Sequence, residues 1–212
     1  MDWTMVKGEW AYFTGAFITI FFIIDPFAVI PTYLSLTERY SDQERRSVRM
    51  RAVLIAFGLL VMFAISGTTF FEFFGITLPA FQIAGGILLF ALGFNQVNAK
   101  QEKVSRIENQ EGMEKQDISV FPLAMPMLAG PGAISTVILL STKTGSVLRL
   151  SELTLAITIC MTFTFIILKS SPYLLKLLGR TGLNLLSRIM GIILTAVGIQ
   201  FVINGIREVA HI

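Results

Sequence analysis

Apolar residues in this chain run in long blocks separated by short charged stretches. The blocks are Ala11–Leu36, Val48–Phe74, Ile76–Val97, Val120–Leu140, Leu153–Leu168 and Leu183–Ile206. Most are close to the ~20 residues that an α-helix needs to cross the hydrocarbon of a bilayer. The pattern predicts an all-α, polytopic membrane protein with six transmembrane helices. Two blocks carry helix breakers. The first holds Asp25-Pro26 and Pro31; the fourth holds Pro122, Pro126 and Gly130-Pro131-Gly132. Proline removes a backbone donor and clashes with the preceding turn, so the first and fourth helices are expected to be discontinuous. Ala11–Ile24 has the length of a signal-peptide core. No small-x-small cleavage site follows it, and Asp2 and Glu9 sit beside Lys7, so it is read as a retained span.

Composition sharpens this picture. Of 212 residues, 54% are apolar and only 15% are charged, with a mean hydropathy of +0.71. A soluble domain carries about 25% charged residues. The excess apolar surface must face something other than water, and lipid is the simplest candidate. The net charge of +3 and the lack of a basic patch with interleaved aromatics argue against a nucleic-acid partner. A single cysteine, Cys160, excludes an internal disulfide framework and reads as a small residue facing lipid or a neighbouring helix. The one histidine, His211, offers no metal or catalytic cluster, and no cofactor is expected.

The charges set an orientation. Arg39, Arg45 and Arg46 lie between blocks one and two, with Arg49 and Arg51 at the start of block two. Lys100, Lys103, Arg106 and Lys115 lie between three and four, and Lys169, Lys176, Arg180 and Arg188 between five and six, counting the block ends. That places thirteen basic residues on one side, against Lys7, Lys143, Arg149 and Arg207 on the other. The positive-inside rule then puts both termini outside the cytoplasm, in an inner or plasma membrane.

A shift of 105 residues aligns the halves. Pro26 meets Pro131, Ala28 meets Ala133, Leu78 meets Leu183, Gly86 meets Gly191 and Gly93 meets Gly198. One offset serves blocks one and four and also blocks three and six. Each half holds three spans, an odd number, so the second copy must run upside down relative to the first. The expected organisation is a first repeat over 1–97, a charged cytoplasmic linker over 98–118 and an inverted second repeat over 119–212. Inverted repeats recur in secondary transporters, with the solute site near the midplane. Gly86 and Gly93, and Gly191, Gly198 and Gly205, are spaced by seven and share a helix face. They are read as close helix-packing positions rather than ligand contacts.

Asp25 is the only acid well inside an apolar block. A carboxylate there is costly unless paired, hydrated or protonated. It reads as a substrate or coupling-ion site, and equally as a cap for a half-helix that starts at Pro26. Irregular backbone at membrane depth survives only inside protein or along a wet cavity. Each half-helix that follows a break presents free N–H groups and the positive end of its dipole, which suits a carboxylate. The candidate site therefore comprises Asp25, Pro26, Phe27 and Ala28 with Ala129, Gly130, Pro131, Gly132 and Ala133. Gly130, Gly132, Ala28 and Ala133 leave little side-chain bulk there and suit a small zwitterion, its carboxylate at a half-helix N-terminus and its amine near Asp25 or exposed carbonyls. Gln82, Asn95, Gln96, Gln200 and Asn204 form a secondary polar set expected to hydrogen-bond between helices. Thr158, Thr162 and Thr164 are expected to bond within their own helix.

Several stretches carry a resemblance. Asp25-Pro26, Ile83-Ala84-Gly85-Gly86-Ile87, Pro122-Leu123-Ala124-Met125-Pro126, Ala129-Gly130-Pro131-Gly132, Arg188-Ile189-Met190-Gly191 and Asn204-Gly205-Ile206 together resemble the MarC family, also described as SnatA-like small neutral amino-acid transporters. The resemblance is weakest in spans two and five and in the linker. It implies a six-span prokaryotic inner-membrane protein that moves glycine, alanine or similar amino acids, coupled to a proton or sodium. It carries Asp25, Pro26, Gly130, Pro131 and Gly132 over as site elements. A channel for a small solute or ion is the alternative. An intramembrane enzyme would need a second buried carboxylate or a nucleophile and base; a drug pump would need a larger apolar pocket. So small a unit also admits a homo-oligomer.

Overall fold

The computed structural model describes residues 3–98, 117–142 and 147–210; residues 99–116 of the expected linker, Lys143 and His211 lie outside the described residues. Regular structure among the described residues is entirely helical. Helix α1 covers Trp3–Ile24, α2 Pro26–Leu36, α3 Asp42–Phe74 and α4 Leu78–Val97. An irregular segment of π-type winding, Ser119–Leu128, precedes α5 (Pro131–Thr142) and α6 (Val147–Ala210). Five stretches are long and apolar enough to cross a membrane: Ala11–Leu36, Asp42–Gly67, Leu78–Val97, Leu148–Gly179 and Thr181–Ala210. The irregular segment and α5 form a sixth as a pair bent by 54°.

The two interrupted blocks break where the prolines lie, by different geometries. In the first, only Asp25 leaves the helix, and α1 and α2 stay within one span. In the fourth, Phe121 and Met125, each preceding a proline, adopt extended dihedrals (φ −126°, ψ 125° and φ −133°, ψ 125°). The residue before a proline is pushed toward that region by the ring.

Helix ends differ from the apolar blocks in two places. The second helix begins at Asp42, ahead of Val48. Ser41 and Glu44 start it: the Ser41 amide and hydroxyl donate to Glu44 Oε2 at 2.8 and 2.7 Å, and the Glu44 amide returns to Ser41 Oγ at 3.4 Å. This reciprocal cap satisfies free N–H groups regardless of hydropathy. The fifth helix runs over Leu148–Gly179 rather than Leu153–Leu168. Hydropathy marks hydrocarbon depth, while the helix stops only where Gly179 takes φ +63°. Gly179 thus divides α6 into two arms, Leu148–Gly179 and Thr181–Ala210.

Large apolar side chains face outward. Ile18, Leu54, Ile65, Leu155 and Ile192 each expose more than half their surface. Inside, small residues let backbones approach. A β-carbon on Gly198 would lie 2.5 Å from the Phe90 amide nitrogen and 2.6 Å from the Gly86 carbonyl oxygen; one on Gly93 would lie 2.6 Å from the Gly191 carbonyl oxygen. Helix α4 and the second arm of α6 therefore touch backbone to backbone, as the glycine spacing predicts. Thr158, Thr162 and Thr164 hydroxyls donate to carbonyls one turn back at 2.7–2.8 Å, also as expected. Gln200 and Asn204 depart from expectation: the Gln200 amide donates to Asn204 Oδ1 at 2.8 Å within one helix rather than between helices. Cys160 is buried, with Sγ 3.5 Å from the Phe17 carbonyl.

Arg51 and Asp117 pair at 3.3 Å, tying α3 to the start of the fourth span. The Ser119 hydroxyl and amide both donate to Asp117 Oδ1, at 2.6 and 3.0 Å. These Ser119 bonds, ahead of Arg51, hold the Asp117 carboxyl below its ordinary range.

The glycine contact gives a direct expectation. Gly198→Val drives a side chain into the Phe90 and Gly86 backbones and should destabilise by at least about 1–3 kcal/mol. Gly58→Ala enters open space on α3 and should be neutral or stabilising by up to about 1 kcal/mol. Thermal unfolding of both variants in detergent checks the pair.

Candidate functional site

Helix α1 ends one residue before Asp25. The Asp25 amide still donates to the Phe21 carbonyl at 3.1 Å, so the residue closes α1 before its own dihedrals turn to φ 44°, ψ 66°. Asp25 is the only non-glycine with positive φ among the described residues. Asp tolerates this left-handed region better than most residues, at some cost in strain. Pro26 then occupies the first helical position of α2, where no donor is needed. Asp25 Oδ1 accepts from the Ala28 amide at 3.2 Å. The capping reading of Asp25 is therefore met in the geometry.

Its second oxygen is also engaged. Gln96, at the end of α4, donates from Nε2 to Asp25 Oδ2 at 2.6 Å. The other end of that amide, Gln96 Oε1, is buried and has no partner. An acceptor left bare in an apolar surround costs about 1–3 kcal/mol. Asp25 as a residue is 5% exposed. Asp25 and Gln96 thus form a buried polar pair with one acceptor still open.

The second break adjoins the first. Helices α1 and α5 pack together, and α2 packs on Ser119–Leu128. The two broken spans lie side by side, the first half of one against the second half of the other, so the breaks are level. A β-carbon on Gly132 would lie 3.7 Å from Ile23 Cγ2, two residues before Asp25. The same position would meet the Leu89 side chain, and one on Gly130 would meet the Pro126 carbonyl. At Gly130 the backbone leaves no room for a side chain, and Leu89 fills the space over Gly132.

Of the expected site residues, Asp25, Pro26, Ala129, Gly130, Gly132 and Ala133 are buried, Phe27 and Ala28 are half-buried, and Pro131 is exposed. Phe27 packs edge-on against Phe21 at a centroid distance of 6.3 Å. The N-termini of α2 and α5 stand at the two breaks. In the sequence Gln96 reads as one of several amides in apolar blocks, and Leu89 and Ile23 read as ordinary apolar positions. An amide within an apolar block is the signal that marks Gln96, shared with Gln82 and Asn95; nothing in the sequence marks the other two.

Comparison with known proteins decides the family. The sequence profile described as MarC family integral membrane protein matches residues 10–210. This chain belongs to the MarC family. It is 39% identical over 198 residues to the UPF0056 membrane protein of Aquifex aeolicus, covering 92% of each chain. It is 40% identical over 197 residues to the UPF0056 membrane protein MJ1677 of Methanocaldococcus jannaschii, covering 92% of this chain and 96% of the relative. With the UPF0056 membrane protein YhcE of Escherichia coli it shares 33% identity over 195 residues, 91% of each chain. These names state no activity. No solved structure matches. This MarC family chain is an integral, multi-pass membrane protein.

The polar pair yields a stability prediction. Asp25→Asn keeps an acceptor for Ala28, tolerates the left-handed backbone, and still pairs with Gln96 once that amide turns over. It should cost under about 1 kcal/mol. Asp25→Ala strips both bonds and strands Gln96, for a loss of about 1–3 kcal/mol. Unfolding midpoints of the two purified variants check the order.

Proposed function

We propose that this protein is a secondary transporter of small neutral amino acids, glycine, alanine or similar, across the inner membrane. It is built as two inverted three-span repeats and works by alternating access at the level of the two breaks. One observation carries the reading: a buried carboxylate sits at one break, beside an open amide acceptor, with the second break against it. In the proposed complex, the substrate ammonium sits between Gln96 Oε1 and Asp25. Its carboxylate takes the free N–H groups at the start of α5, with the dipole in its favour. Asp25 also carries the coupling proton or sodium. The surroundings of Asp25 are an amide, backbone and hydrocarbon, which supports binding and release rather than bond-making, so we read the protein as a transporter and not an enzyme.

Two contact patterns support the inverted repeat. Gly86 meets Gly198, and adding 105 to the first and subtracting 105 from the second gives Gly191 and Gly93, which also meet. The pairing of α1 with α5 and of α2 with Ser119–Leu128 is reciprocal in the same way. Both patterns are what a two-fold axis in the membrane plane requires. Arg45, Arg49, Lys169 and Lys176, from the first and last of the basic stretches, line one cavity. That supports the orientation with both termini outside the cytoplasm. With Leu89 over Gly132, the conformation described is a closed one, and substrate entry requires Leu89 to move.

Reconstituted vesicles test the proposal. Labelled glycine or alanine should accumulate saturably under a proton or sodium gradient. Asp25→Asn, which keeps the fold, should lower apparent substrate affinity about ten- to hundred-fold by removing a charge-assisted bond. Inert vesicles under both gradients would refute the transporter reading; non-saturable flux would point to a channel instead.

A further inference from the structure

A second polar site lies away from the breaks. A cavity of about 390 Å³ opens between α2, the start of α3 and the first arm of α6. Four cations line it, Arg45, Arg49, Lys169 and Lys176, against a single anion, Asp42. None of these four cations is in an ion pair with another described residue. Arg45 spends Nε and Nη2 on the Thr37 and Glu38 carbonyls, at 3.0 and 3.1 Å, which fixes its guanidinium at the rim. Lys169 and Lys176 are seven residues apart on one helix and so share a face.

Arg49 is the deepest of the four, at 8% exposure. Its Nη1 donates to the Tyr33 hydroxyl at 3.2 Å, and its guanidinium lies 4.8 Å from the Phe165 ring centre. Its Nε is buried and has no partner. A buried cation with an unfilled donor beside three more cations needs an anion. Arginine favours phosphate, and basic pockets between membrane helices at the cytoplasmic rim suit phosphate headgroups. Leu34 and Leu168 give the cavity an apolar side, and Tyr173, three-quarters exposed, stands at its mouth as an amphipathic ring suited to the interface.

We propose that this cavity binds a phosphate group, free or borne by an anionic lipid, through Arg49, Arg45, Lys169 and Lys176. The site is separate from the breaks and does not depend on what the protein transports.

Thermal unfolding of the full chain in a neutral detergent tests this, titrating phosphatidylglycerol, phosphatidylcholine or inorganic phosphate. Arg49→Gln risks the fold, so the working variant is Lys169→Gln/Lys176→Gln, both of whose side chains are exposed. Its control is Arg39→Gln/Arg46→Gln, exposed cations of the first basic stretch that do not line the cavity. Each lysine is worth about a factor of five toward an anionic headgroup. The wild type and the control should therefore show a saturable rise in melting temperature, with apparent affinity about 25-fold weaker in the lysine variant. A response to phosphatidylglycerol alone identifies a lipid; a response to inorganic phosphate as well identifies free phosphate. If neither phosphate source shifts the wild type, or if the lysine variant and the control weaken alike, the site does not exist.

Discussion

Hydrocarbon offers no hydrogen-bond partners, so a helix that breaks within it must find replacements inside the protein. That constraint governs the centre of this molecule. At Asp25 the side chain substitutes for the lost ladder, capping α2 at Ala28, while Pro26 has no donor to lose. At the second break the Ala129 amide reaches back to the Ala124 carbonyl at 2.8 Å, and the Ile134 amide to the Gly130 carbonyl at 3.0 Å. The price of a carboxylate in such a place is a partner, and Gln96 supplies it from another helix.

Much of this was legible in the sequence, for identifiable reasons. Six blocks could be counted because lipid removes the need for a polar face. The breaks could be located because proline and glycine act locally, through φ and the missing N–H. The glycine faces on α4 and α6 could be read from spacing alone. What stayed hidden depends on how helices are rotated about their axes. A helix that is apolar all round carries little information on which side faces in. Hence nothing indicated that Gln96 would turn to Asp25 or that Leu89 would cover Gly132. Gln200 and Asn204 closed on each other for the same reason. Arg49 counted in the sequence only as an orienting charge. In the structure Arg49 lies on α3, sheltered between Tyr33 and Phe165.

Helix α2 links the two polar regions. Its 11 residues span about 16 Å. Its N-terminus is the Asp25 cap, and near its other end Tyr33 receives Arg49 while donating to the Arg45 carbonyl at 3.2 Å. Both ends of this short rod are held by polar contacts rather than by hydrocarbon packing alone.

The glycine seam has a mechanical consequence. With backbone against backbone at Gly86, Gly93, Gly191 and Gly198, α4 and the second arm of α6 cannot slide past one another without a collision, so they behave as one plank. That plank bears Gln96 near one end and Leu89 further along. Swinging it away from the broken spans would unhook the amide from Asp25 and lift the leucine plug off Gly132 in a single stroke.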